Sequence, residues 1–113
     1  MIKKIFFLAI ALISGMFANA QSAAATATFK VDGWCEMCKE RIENAAYIKG
    51  VKKAVWDKET KMLTVFYNPK KVTILKIEES IAKAGHDTEN VKASAEAYAK
   101  IHGCCKYRED DTH

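Results

Sequence analysis

Cys35 and Cys38 stand in the run Gly33-Trp34-Cys35-Glu36-Met37-Cys38, and two thiolates separated by two residues can grip one soft metal ion. Sulfur is polarizable, so as thiolate it prefers Cu(I), Zn(II) and other soft ions to calcium or magnesium. If the first cysteine sits on a loop and the second in the first turn of a helix, both sulfurs converge on one point. The partial positive charge at a helix N-terminus then favours thiolate over thiol. The same spacing also serves disulfide oxidoreductases and one half of many zinc sites, so the rest of the chain has to decide. A second pair, Cys104-Cys105, and the histidines His86 and His102 are the other residues with chemistry of this kind.

The elements that must position these residues can be read from periodicity. Thr26 to Val31 alternates as a strand. Cys38, Ile42, Ala45 and Ala46 share a helical face, while Lys39, Glu40, Arg41, Glu43 and Asn44 fill the other. Gly50 ends that helix. Val51 to Asp57 and Lys61 to Asn68 read as strands joined through Lys58-Glu59-Thr60, a hairpin spacing. Asn68-Pro69 stops the second strand, and Thr73 caps a helix whose stripe is Ile74, Ile77, Ile81 and Ala84, ended by Gly85. Asp87 to Lys92 supplies a short last strand. The order strand, helix, strand, strand, helix, strand is the split βαβ pattern, an α+β fold with two helices on one face of a four-stranded antiparallel sheet. Leu63, Val65 and Tyr67 share one face of their strand; Met62 and Phe66 lie on the open face, to be covered by the chain's own tail or by a partner. Ser94 to His102 forms one more helix, capped by Ser94 and ended by Gly103, so a short C-terminal helical extension carries Cys104-Cys105.

The 113 residues suit a single small domain. Residues 1–20 read as an export signal: Lys3 and Lys4, an apolar run from Ile5 to Phe17, and Ala18-Asn19-Ala20 as a small-x-small cleavage site. The run is shorter than the roughly 20 residues that span a bilayer, and no cysteine near Ala20 can take a lipid. The expected product is periplasmic or secreted, soluble, and without a stable membrane anchor once the signal is cleaved. It divides into a domain over residues 21–92 and an extension over residues 93–113. Without Lys3 and Lys4 the acidic and basic residues nearly balance and are scattered, which leaves no footprint for nucleic acid. An even cysteine count in a small exported chain usually means a disulfide framework. Here the four cysteines form two tight clusters that would close only tiny loops, which add little stability; a bridge between the clusters stays open.

From about Thr26 to Lys92 the sequence resembles the heavy-metal-associated domain family, whose members include copper chaperones, N-terminal domains of metal-transporting ATPases and periplasmic mercury-binding proteins. The resemblance rests on Gly33-Trp34-Cys35-Glu36-Met37-Cys38 against the family's Gly-Met-x-Cys-x-x-Cys loop, on Gly50-Val51 after the first helix, and on Ala84-Gly85-His86 after the second. It implies a ferredoxin-like βαββαβ sandwich, carries metal binding onto Cys35 and Cys38, and implies no catalytic residue. Trp34 stands where the family usually has a methionine tucked beneath the metal loop; an indole there can pack in the same way or sit beside the ion. His86 occupies a loop position where the family often has tyrosine, lysine or histidine near the site, so its imidazole is a candidate third ligand, against a solvated loop histidine.

The candidate metal ligands are therefore Cys35, Cys38, Cys104, Cys105 and His86. If the tail folds back, four thiolates can surround one ion; otherwise Cys104 and Cys105 make a second site, or a resolving pair that keeps Cys35 and Cys38 reduced. The leading expectation is a non-enzymatic metallochaperone or scavenger of a soft ion, Cu(I) foremost, with Hg(II) or Zn(II) as alternatives. It would pass the ion by thiolate exchange to a metal-transporting membrane protein or another thiol-rich acceptor. An exposed cysteine pair can also join two chains into a metal-bridged homodimer. The rival expectation is a periplasmic thiol-disulfide oxidoreductase, because Trp-Cys-x-x-Cys also resembles the thioredoxin active site. Against it, the one proline, Pro69, lies at a strand end, and the short-hairpin layout fits poorly. A metal sensor or a zinc-stabilised interaction domain is a third reading.

Overall fold

A computed structural model describes residues 24–108 of the chain. The export signal expected over residues 1–20 and the chain from residue 109 onward lie outside the described residues, as does the side chain of Cys104. β1 (Ala25–Lys30) leads through the cysteine loop into α1 (Glu36–Ala46). β2 (Val51–Trp56) and β3 (Met62–Tyr67) form the expected hairpin, followed by α2 (Ile74–Lys83). The tail holds α3 (Ala95–Ala99) and a 3-10 turn, Gly103–Cys105.

The strands pair antiparallel in the order β1-β3-β2. In this register Leu63 lies opposite Phe29 on one side and Trp56 on the other, and alternation turns Phe29, Leu63, Val65 and Trp56 to the buried face. Cys38, Ile42 and Ala46 of α1 and Ile77 and Ile81 of α2 close that face into one core. Ser80 ties the helices together, its hydroxyl donating to the Ala45 carbonyl at 2.6 Å. The other sheet face carries the Thr28–Thr64 hydroxyl pair at 3.2 Å and leaves Val55 and Phe66 exposed. Thr73 and Ser94 cap α2 and α3, accepting from the N–H groups of Lys76 and Ala97.

Two expectations change. Among the described residues the sheet has three strands, not four; all that stands for Asp87–Lys92 is a single antiparallel bridge between Val31 and Thr88. The cause is Glu78, buried in α2, whose carboxylate accepts from the Thr88 hydroxyl at 2.8 Å, the Asn90 N–H at 2.9 Å and the Asn90 side-chain amide at 3.1 Å. A buried carboxylate has to be met by donors, and the segment curls around it instead of running on along β1. The tail helix is also shorter than Ser94 to His102, because the chain turns inward after α3 to bury Ile101, Cys105 and Tyr107 in the domain core.

The described part of the tail, up to Arg108, packs against the domain. The Tyr107 hydroxyl accepts from the Asp87 N–H and donates to the Gly85 carbonyl, each at 2.8 Å. Arg108 donates to both carboxylate oxygens of Asp87, at 3.2 and 2.7 Å, and to the Ala93 carbonyl at 2.8 Å. Gly85 makes the close fit possible: at φ +107° it adopts a backbone conformation costly for other residues, and Ile101 packs where its β-carbon would be. Among the described residues no helix is long and apolar enough to cross a membrane.

Candidate metal site

The loop between β1 and α1 is pinned before the cysteines begin. The N–H of Val31 donates to the Lys61 carbonyl and that of Asp32 to the Asp87 carbonyl, both at 2.9 Å. Gly33 then crosses close above the core: a β-carbon there would lie 3.1 Å from both Cβ of Cys38 and the Trp56 ring. Trp56, fully buried, is the floor of the loop and donates its indole N–H to the Val31 carbonyl at 3.0 Å. Trp34 is half-buried against the core, with the Lys61 ammonium 4.6 Å from its ring centroid, a cation–π contact. A clamp joins α1 to β2. The Glu43 carboxylate accepts from Lys39 at 2.8 Å and from the Trp56 N–H at 2.9 Å, while Lys39 also donates to the Trp56 carbonyl at 2.7 Å.

On this footing Cys35 is the N-cap of α1, in extended conformation, and Cys38 lies in the first helical turn. Their sulfurs are 3.4 Å apart. Cys105, brought round by the tail, places its sulfur 3.4 Å from that of Cys35, and all three lie within 4.8 Å of one another. These separations exceed the about 2.05 Å of a disulfide bond. They suit an ion reached by sulfur bonds of about 2.3 Å. Cys38 and Cys105 have 0% exposure, whereas Cys35 is partly exposed. Burial, and then the neighbouring Cys38 and Cys35, push the Cys105 thiol well above its ordinary range. It holds its proton unless an ion displaces it.

His86 is not gathered with the sulfurs. Its ring is fully buried and stacked on Tyr107 at 5.5 Å, with Nδ1 2.8 Å from the Asp32 carbonyl. Nε2 is buried without a hydrogen-bond partner among the described residues. Burial lowers the pKa and outweighs the Asp32 carbonyl, which raises it. The imidazole is thus neutral, donates from Nδ1, and fastens the loop after α2 to the backbone just ahead of Gly33. Of Cys104 only the backbone is described, within the 3-10 turn. Sequence reasoning singled out Cys105 for its sulfur and missed the residues that aim it: Ile101, Tyr107 and Arg108. The available signal was the spacing of large apolar and aromatic residues, Tyr98, Ile101 and Tyr107, along the tail.

No protein-family model matches the chain, and no curated protein matches it. Solved structures do. A CopZ metallochaperone aligns over 57% of this chain and 98% of its own, with 29% identity and a TM-score of 0.55. Oxidized MerP from Ralstonia metallidurans CH34 aligns over 59% and 96%, with 28% identity and a TM-score of 0.56. The N-terminal domain of a potential copper-translocating P-type ATPase from Bacillus subtilis, in its Cu(I)-loaded state, aligns over 63% and 99%, with 26% identity and a TM-score of 0.55. The chain has the fold of the heavy-metal-associated domains, and these neighbours do not favour the oxidoreductase alternative.

Proposed function

We propose that this heavy-metal-associated fold serves here as an exported carrier of a soft metal ion, Cu(I) or Hg(II), held by Cys35 and Cys38 and passed by thiolate exchange to a metal-transporting membrane protein. The observation that carries the reading is the convergence of buried and half-buried thiols at the N-terminus of α1. Thiolate ligands select soft ions. The role matches that of the neighbours by their printed names: a metallochaperone and the metal-loaded domain of a copper-translocating ATPase. Cys35, partly exposed, is where an acceptor thiolate can join before an outgoing one leaves, so the ion need not be released to water. Export rests on the leader read over residues 1–20 of the sequence. No catalytic role is assigned.

The test is anaerobic titration of the reduced protein with Cu(I), Hg(II) and Zn(II) against a competing chelator, comparing wild type with C35S/C38S. Stoichiometric binding lost in the double variant supports the carrier. Weak binding of all three ions, together with disulfide reductase activity on insulin, overturns it in favour of the redox reading.

A further inference from the structure

We infer that Cys105 is a third sulfur ligand, and that the pocket is built for thiophilic ions that accept three thiolates, with Hg(II) and trivalent arsenic gaining the most from it. The inference rests on the carrier reading above and names the class of cargo.

The third sulfur stands where it does by construction. Cys105 is fully buried within the domain core, flanked by Ile101 and Tyr107, and its sulfur is as close to Cys35 as that of Cys38 is, 3.4 Å in both cases. The segment that carries it is fixed on both sides. Ahead of it, Ile101 fits into the space Gly85 leaves open. Behind it, the Tyr107 hydroxyl bridges the backbone of Gly85 and Asp87, and Arg108 grips the Asp87 carboxylate with two bonds. The Lys106 ammonium donates to the carbonyls of Tyr98 and Ala99, both at 3.0 Å, holding the end of α3 against the same turn. A cysteine that served only as a small core residue would not need its sulfur turned into a cluster with two others.

Charge then ranks the cargo. Three thiolates bring three negative charges, and two of the three sulfurs are cut off from water, where residual charge is costly. A three-thiolate complex keeps two negative charges with Cu(I), one with Hg(II) and none with As(III). Binding Hg(II) sends three thiol protons to solvent. Arsenous acid exchanges its three hydroxides for three sulfurs, each hydroxide leaving as water with one thiol proton, and arsenic stays trivalent throughout.

X-ray absorption of the reduced wild-type protein loaded with Hg(II), and separately with arsenite, counts the sulfurs directly and needs no variant; three are expected. Competition titrations of wild type, C105S, C104S and C35S supply the second readout. Loss of an outer partner of a ligand costs about 10–100-fold in affinity, and C105S should lose at least that for arsenite, less for Hg(II) and least for Cu(I). Two sulfurs around both ions in wild type, or equal affinities in C105S and wild type, overturn the third ligand. If C35S nonetheless abolishes binding, the two-thiolate carrier survives. If C35S is also without effect, the carrier reading falls with it. A loss confined to C104S overturns the assignment to Cys105.

Discussion

A β-carbon on Gly85 would stand 2.4 Å from Cγ2 of Ile101, so the loop after α2 and the C-terminal tail are fitted to each other atom against atom. At that distance something must move, and the φ of +107° already disfavours any side chain. Gly85→Ala is expected to cost about 1–3 kcal/mol, seen as a lower urea midpoint. The same variant should expose Cys105 to thiol reagents faster than wild type. An unchanged midpoint and rate would show that the tail is not seated on this loop.

Tyr107→Phe removes a hydroxyl that makes one buried and one part-buried bond, leaving the Gly85 carbonyl and the Asp87 N–H without it. The expected loss is about 1–3 kcal/mol by urea unfolding. Tyr98→Phe is the comparison, because its hydroxyl only accepts an exposed bond from the Arg108 N–H; there the change should stay within about 0.5 kcal/mol.

Burial lowers the His86 pKa in the folded protein, while the unfolded chain should titrate near the ordinary value of about 6.5. Below that pH the unfolded state takes up a proton that the folded state refuses, so stability falls as pH drops through this window. The slope is at most about 1.4 kcal/mol per pH unit for one group. Urea midpoints measured from pH 7.5 to 5.5 should decline, and His86→Gln should flatten that decline. A profile identical in the two proteins would remove His86 as its source.

Iodoacetamide labelling of the reduced protein, followed by mass spectrometry, should modify Cys35 ahead of Cys38 and Cys105. Cys35 is partly exposed; the other two sulfurs are buried, and burial pushes the Cys105 thiol up. A bound soft ion should protect all three.

The sequence was most legible where local rules act alone. The Cys35-x-x-Cys38 loop at the start of a helix, the caps at Thr73 and Ser94, and the hairpin between β2 and β3 all follow from spacing and capping chemistry, and they recur in the structure. The fourth strand expected over Asp87–Lys92 is outcompeted by a buried carboxylate. Glu78, one of several charged residues on α2, is the one that points inward, and it gathers Thr88 and Asn90 to itself. Helical periodicity cannot say which carboxylate will be buried. The gathering of Cys105 with Cys35, residues 70 apart in sequence, depends on where the tail returns, and that is decided by Gly85, Ile101, Tyr107 and Arg108 acting together.

The cluster has one wet side. With Cys38 and Cys105 sealed in the core and Cys35 partly exposed, an incoming acceptor would meet the sulfurs in a fixed order, Cys35 first and the sealed pair afterwards. In the carrier proposed above, delivery would then follow a built-in sequence of bond breaking, slowest at the parting from the innermost sulfurs and hastened by an acceptor that reaches inward or by a tail that lifts away.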